Sequence, residues 1–267
     1  MKIVDVFGGS APHNTRHALL ITISVLLFVM LTACGKKGPV RPKLDTLPEA
    51  PSEVALHQQG NTFVLAWKIP AKNLDGSTVE DLTGFRIKRL SYDVADGCPT
   101  CRDPQTEVAD FDVRYPAPGQ RIGNRIYWRD LDILIDVGYR YAIVPLTVGG
   151  QEGPTAMIHL AAQEPQPSPT ALQVEAGDAQ VALQWTAPAL SSDVELVGYN
   201  LYRRYEEQPF PMVPINPKPL QETELLDRGL DNGRTYEYRV RALIRAGDQQ
   251  LESMASPGAL ITPQKGL

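Results

Sequence analysis

The sequence predicts an all-β protein: two antiparallel β-sandwiches in tandem behind an apolar N-terminal segment. Three observations predict it. Thr62–Lys68 (TFVLAWK) and Gln180–Thr186 (QVALQWT) read as strands that alternate inward and outward side chains with a period of two and end on Trp67 and Trp185. Turn-forming pairs punctuate the chain at Asp75-Gly76, Asp96-Gly97, Gly149-Gly150, Asp231-Asn232-Gly233 and Ala246-Gly247-Asp248. The same signals also occur twice in the same order, and no amphipathic helical stretch competes with them.

Taken from the start, the chain carries an apolar run at residues 18–31 (ALLITISVLLFVML), preceded by Arg16 and His17 and ended by Thr32-Ala33. A membrane span needs about 20 apolar residues, so this run is short for one. A charged start, an apolar middle and small residues before a cleavage point are the parts of a secretory signal. Leu31-Thr32-Ala33-Cys34 resembles the lipobox of bacterial lipoproteins. That resemblance implies a signal peptide over 1–33, removed before Cys34, and a diacylglyceryl group on the Cys34 thiol. The competing reading is an uncleaved helix with an incidental cysteine. Cys34 to Pro39 (CGKKGP) resembles the attachment-site pattern of small proteobacterial lipoproteins. Gly35 stands where enteric inner-membrane lipoproteins carry Asp, which implies a periplasm-facing protein held in the outer rather than the inner membrane.

Residues 34–50 comprise the lipidated cysteine and a Pro-rich basic stretch with no apolar period, so an extended tether is expected there. Lys36, Lys37, Arg41 and Lys43 could rest on anionic head groups at about 1 kcal/mol each, or could simply be solvated.

Beyond the tether each half gives a strand ending on Trp67 or Trp185, then a Gly-aromatic strand (from Gly84 or Gly198), then a Tyr-x-Tyr strand (Tyr139, Tyr141 or Tyr236, Tyr238). With the opening Pro51 and Pro169, and with Ile133 and Leu230 six residues before Tyr139 and Tyr236, this order resembles the immunoglobulin-like fibronectin type III family over nearly the whole mature chain. The resemblance is closer in the second half. It implies a first domain over 51–162 with a long loop at 92–115, a Pro-rich linker over 163–168 acting as hinge or spacer, and a second domain over 169–263. The tryptophans and paired tyrosines are then core and corner residues.

Chemistry is sparse. Cys98 and Cys101 stand in GCPTCRD, and export makes a local disulfide the expected state, constraining the chain by on the order of 2 to 3 kcal/mol. Arg102 after Cys101 excludes CxxCH haem attachment. Zinc would need ligands beyond His57 and His159, and a thioredoxin-like motif would need a helix starting at the first cysteine. Asn73-Leu74-Asp75-Gly76 is a fragment of a calcium loop without its later ligands. The carboxylates Asp130, Asp132, Asp136 and Glu222, Glu224, Asp227 read as solvated faces, and no nucleophile–base pair or phosphate loop is present in the sequence. No catalytic residue, cofactor or metal is therefore expected, and the reading is not an enzyme.

The charge is −5, and 24 basic against 30 acidic residues follow residue 33, so there is no electrostatic footprint for nucleic acid. Three functions remain. The first is a lipid-tethered, non-catalytic envelope protein binding another envelope protein or serving as a spacer. The second is a glycan-binding accessory using Tyr92, Tyr115, Tyr127, Trp128 and Tyr205, and the third a thiol-redox protein using Cys98 and Cys101.

Overall fold

The computed structural model describes residues 46–205 and 207–266; the expected signal peptide, Cys34 and the tether up to residue 45 lie outside the described residues. The described chain is all-β. Its strands are β1 (Ser52–Gln59), β2 (Thr62–Lys68), β3 (Leu82–Asp93), β4 (Thr106–Asp112), β5 (Gln120–Ile122), β6 (Arg125–Asp130), β7 (Val137–Thr147), β8 (Ala156–Ala161), β9 (Thr170–Gly177), β10 (Gln180–Thr186), β11 (Val194–Tyr205), β12 (Glu224–Arg228), β13 (Tyr236–Ala246), β14 (Gln249–Glu252) and β15 (Ala259–Ile261). In the N-terminal half β1-β2-β6-β5 lie opposite the sheet β4-β3-β7-β8. In the C-terminal half β9-β10-β12 face β11-β13, with β14 and β15 both on β13.

Each core grows from the period-two residues. Phe63, Leu65 and Trp67 of β2 meet Phe85 and Ile87 of β3 and Tyr139, Tyr141 and Ile143 of β7. Val181, Leu183 and Trp185 of β10 meet Tyr199 and Leu201 of β11 and Tyr236, Tyr238 and Val240 of β13. Trp67 stacks edge-on against Phe85 and Trp185 against Tyr199, both with ring centroids 5.4 Å apart. Such pairs add to the area that they bury. The first strand of each half also has the same irregularity: Glu53 and Ala171 share a positive φ of 48°, two residues after Pro51 and Pro169. A bulge there bends the strand and re-aims its side chains.

The corners repeat as well. Tyr139 accepts a hydrogen bond from the Leu134 N–H at 2.7 Å, and Tyr236 accepts one from the Asp231 N–H at 3.0 Å. Ile133 packs against one core and Leu230 is buried in the other, so the apolar residue six places before each tyrosine closes the turn below it.

Two expectations need correction. The stretch 92–115 is not one long loop, because Thr106–Asp112 pairs with β3 from Gly84↔Asp112 to Arg89↔Thr106. The physical reason is Phe111, which enters the core against Trp67 and Trp128 and holds the segment extended. Gly84 lets the two strands approach, since a Cβ there would stand 1.8 Å from the Phe111 carbonyl oxygen. The irregular part shrinks to 94–105 and the residues after β4.

The second correction concerns how the halves are joined. Residues 163–168 have no regular secondary structure, yet they do not act as a free hinge or spacer. Gln163 exchanges two hydrogen bonds with the side chain of Gln58 (2.7 and 2.8 Å), and the Gln166 carbonyl accepts from the Met254 N–H at 2.9 Å. Next to this stitching β1 pairs in parallel with β14, Gln58↔Leu251 and Gln59↔Glu252, so one eight-stranded sheet runs through both halves.

Replacing either corner tyrosine by phenylalanine, Tyr139→Phe or Tyr236→Phe, removes one acceptor from a part-buried N–H. A loss of about 1 kcal/mol in urea unfolding is expected for each, with the m-value unchanged.

Candidate functional site

The most polar buried region lies where the two halves meet. Glu252, at the end of β14, is only 3% exposed. Its carboxylate accepts hydrogen bonds from Asn200 Nδ2 (2.6 Å), the Tyr202 hydroxyl (2.7 and 2.9 Å) and Gln59 Nε2 (2.8 Å), with Arg241 Nε 3.9 Å away. The Gln59 amide also donates to the Tyr202 hydroxyl at 2.9 Å, and its Oε1 accepts from Arg129 Nη2 at 2.6 Å. Strand β1 of one half and β6, β11, β13 and β14 of both thus converge on one carboxylate. A buried carboxylate is tolerable only when donors meet it in this way. Burial pushes the Tyr202 hydroxyl well above the usual phenol range and the Glu252 charge adds to it. Burial also lowers the Arg129 and Arg241 guanidiniums from their ordinary value.

A cavity of about 330 Å³ opens beside the network, lined by His57 and Tyr127 from the N-terminal half and by Met212, Val213, Pro214 and Leu251 from the other. Its far wall is the segment 207–219, pinned to β11 by Asn216. That side chain accepts from the Leu201 N–H (2.8 Å) and donates to the carbonyls of Tyr199 and Lys218. The Met212 N–H in turn donates to Gln120 Oε1 at 3.1 Å. This arrangement explains why β2 is buried on both faces, with Val64 and Ala66 as hidden as Phe63 and Trp67, whereas β10 alternates cleanly. In register with Val64 stand His57 and Arg129, whose side chains line cavities under the segment. Desolvation holds the His57 imidazole below its ordinary value of 6.5.

A second repeated constellation sits inside each half. Asp130 accepts from the Tyr141 hydroxyl (2.7 Å) and Arg89 Nη1 (2.8 Å); Asp227 accepts from the Tyr238 hydroxyl (2.7 Å) and Arg203 Nη1 (2.6 Å). The same arginines lie over the corner tyrosines, 5.3 Å from the Tyr139 centroid and 5.6 Å from that of Tyr236. Burial, reinforced by the aspartates, drives both hydroxyls above the phenol range. The reading of Asp130 and Asp227 as solvated is therefore corrected: Asp130 is 4% exposed, Asp227 is part-buried, and each carboxylate is the hub of a Tyr–Arg triad. A signal was available, because both aspartates stand 11 residues before the tyrosine they serve and both arginines five after the glycine that opens their strand.

Cys98 and Cys101 are joined as a disulfide, with Cα atoms 5.4 Å apart, in the turn between β3 and β4. No helix starts there. Arg140 ties that turn to β7 through the Arg102 carbonyl (2.8 Å) and Asp103 (3.4 Å). The five aromatics named for glycan contact are not brought together as one exposed platform. Trp128 is a core residue at 6% exposed, and the Tyr92 ring lies over Gly138. Tyr205 carries Arg234 on its face, Tyr127 lines the cavity, and Tyr115, 79% exposed, is alone fully in solvent. Asn73 is buried and donates to Ser77 and Thr78, closing the Asp75-Gly76 turn on itself. Among the described residues no three His, Cys, Asp or Glu side chains are grouped as a metal would need.

Comparison with known proteins assigns this architecture to a class. Residues 167–257 match the family model of the fibronectin type III domain, so a domain of that class occupies the C-terminal half. Exoglucanase B of Cellulomonas fimi is 24% identical over 234 residues, 84% of this chain and 18% of that protein, so this chain spans less than a fifth of its relative. Among solved structures the FN1–FN3 domains of chicken CNTN1 share 16% identity, with a TM-score of 0.32, over 83% of this chain and 69% of that one. A myokine shares 19% with a TM-score of 0.29 over 37% of this chain and 99% of its own.

Two measurements probe the junction. In Glu252→Ala the donors of Gln59, Asn200, Tyr202 and Arg241 lose their acceptor, and a destabilisation of about 3–5 kcal/mol is expected, with denaturant unfolding splitting into two transitions as the halves uncouple. His57 stays neutral in the fold below the pH at which it charges in the unfolded chain, so the unfolded state binds the extra proton. Stability is fully present above about pH 6.5 and falls as the pH drops through that value. Across pH 7.5 to 5.5, His57→Gln should show a flatter stability profile than the unaltered protein.

Proposed function

We propose that this protein is a non-catalytic binding or spacer module of the bacterial cell envelope, lipid-anchored at Cys34 and built from two fibronectin type III-like domains. The observation that carries the reading is the junction. Strand pairing, the Gln58–Gln163 exchange and the Glu252 network fix two sandwiches at one mutual orientation. Domains linked only by a flexible segment move independently by default, whereas this pair presents one rigid surface to a partner. The buried carboxylates Asp130 and Glu252 and the part-buried Asp227 are each held by structural donors.

The envelope partner is a protein reached from a periplasm-facing lipid anchor, in the outer rather than the inner membrane. Glycan binding is the second reading, favoured by the relationship to exoglucanase B. It would use the junction cavity with His57 and Tyr127 rather than a surface row of aromatics. The thiol-redox reading loses support, because the Cys98–Cys101 bridge sits in a turn with no helix to lower a thiol pKa.

The test uses the full chain in a bacterial host. Cys34→Ser should abolish metabolic labelling with a radioactive fatty acid, leave the precursor unprocessed and lower recovery in the outer-membrane fraction. In-cell crosslinking of a C-terminally tagged copy should capture one recurrent envelope protein. Fatty-acid labelling that persists in Cys34→Ser, or crosslinks only to abundant bystanders, would overturn the anchor and the partner respectively.

A further inference from the structure

On the other side of Tyr202 from the His57 cavity lies a second one, of about 180 Å³, whose walls include Gln59, Arg129, Arg239, Arg241 and Phe210. Its charge is unbalanced. Four guanidiniums, those of Arg129, Arg204, Arg239 and Arg241, gather here against the two buried carboxylates Glu237 and Glu252. Glu237 is taken by Arg204 and Arg239, which also lie over the Phe210 ring, 4.8 and 4.5 Å from its centroid. Glu252 serves three neutral donors and, at 3.9 Å, Arg241. Arg129 has no carboxylate partner among the described residues. Its Nη2 donates to the neutral Gln59 amide and its buried Nε–H has no protein acceptor.

Arg129 is part-buried and feels the Glu252 charge only at a distance, without an ion pair, and a planar guanidinium fits an oxygen pair in a way that an ammonium does not. We propose that this cavity is an oxyanion site, in which the guanidiniums of Arg129, Arg241 and Arg239 that line it hold a single carboxylate, phosphate or sulfate group. Its volume is about that of six water molecules in the liquid, enough for one such group. The aromatic floor suits the group's carrier. Phe210, already flanked by two guanidiniums, offers an apolar edge for the carbon atoms attached to the oxyanion. Burial disfavours charge on both Arg129 and Arg241, and an anion in the cavity relieves that penalty.

The experiment uses the full mature chain with inorganic phosphate and sodium acetate as probes, each against sodium chloride at matched ionic strength. Spectra of ¹⁵N-labelled arginine Nε–Hε groups should show saturable movement of the Arg129 resonance, identified by its loss in Arg129→Gln, and the thermal midpoint should rise along the same binding curve. Tighter binding of phosphate assigns a phosphoryl ligand, and tighter binding of acetate a carboxylate. Arg129→Gln should weaken binding about tenfold, the loss of one charge-assisted hydrogen bond; Arg245→Gln, whose exposed pair with Glu195 lies elsewhere, should leave it unchanged. No shift of the Arg129 resonance beyond that in chloride overturns the proposal, as does an equal midpoint rise in Arg129→Gln. Where Arg129→Gln is unstable, Arg129→Lys, which keeps the positive charge but has no Nε–Hε group of the guanidinium type, supplies the same assignment by loss, so the resonance measurement still decides the matter.

Discussion

A carboxylate with almost no contact with water must be met by donors, and Glu252 is met from both halves of the molecule. That requirement fixes the rest of the junction. Gln59 can reach Glu252 only if β1 runs alongside β14, and its other amide atom then draws in Arg129 from β6. Tyr202 and Asn200 bring β11 to the same point. Two residue pairs of parallel strand are a small interface by themselves. The network makes them specific, because sliding the register by one residue would leave several buried polar groups without partners.

Within each half a second carboxylate does a related task. In the Arg89–Asp130–Tyr141 and Arg203–Asp227–Tyr238 triads the arginine and tyrosine are partners on neighbouring strands of one sheet, and the aspartate reaches them from β6 or β12 of the facing sheet. The arginine then lies over the corner tyrosine two residues before the triad tyrosine. Corner and triad therefore share one face, and the apolar packing of Trp67 or Trp185 occupies the other end of the same core. The repetition of such detail, down to a positive φ at Glu53 and Ala171, shows two halves solving one packing problem in the same way.

The segment 207–219 is where the halves differ in consequence. It lies over the face carried by β1, β5 and β6, turning an ordinary solvated sheet face into a wall of two cavities. Both cavities thus open at the seam between the halves. The cavities differ in character: the His57 side is largely apolar, while the Arg129 side carries excess positive charge.

The sequence by itself determined the strands, the all-β class and the corners. Those features rest on local rules: period-two alternation in TFVLAWK and QVALQWT, turn pairs such as Asp231-Asn232-Gly233, and fixed spacings such as Leu230 to Tyr236. It also placed Cys98 and Cys101 within reach of each other, because they are three residues apart. Thr106–Asp112 was legible in principle from its alternation, but the turn-rich stretch before it masked the signal until Phe111 was seen entering the core. Tertiary structure alone decided the fate of the polar residues. Nothing local marks Glu252 or Gln59 as buried, since the hydrogen-bond donors to their side chains stand at least 50 residues away, and 193 residues separate the pair itself. Burial of a charge is a property of what surrounds it in space, and for this protein the functional candidates are made at that level.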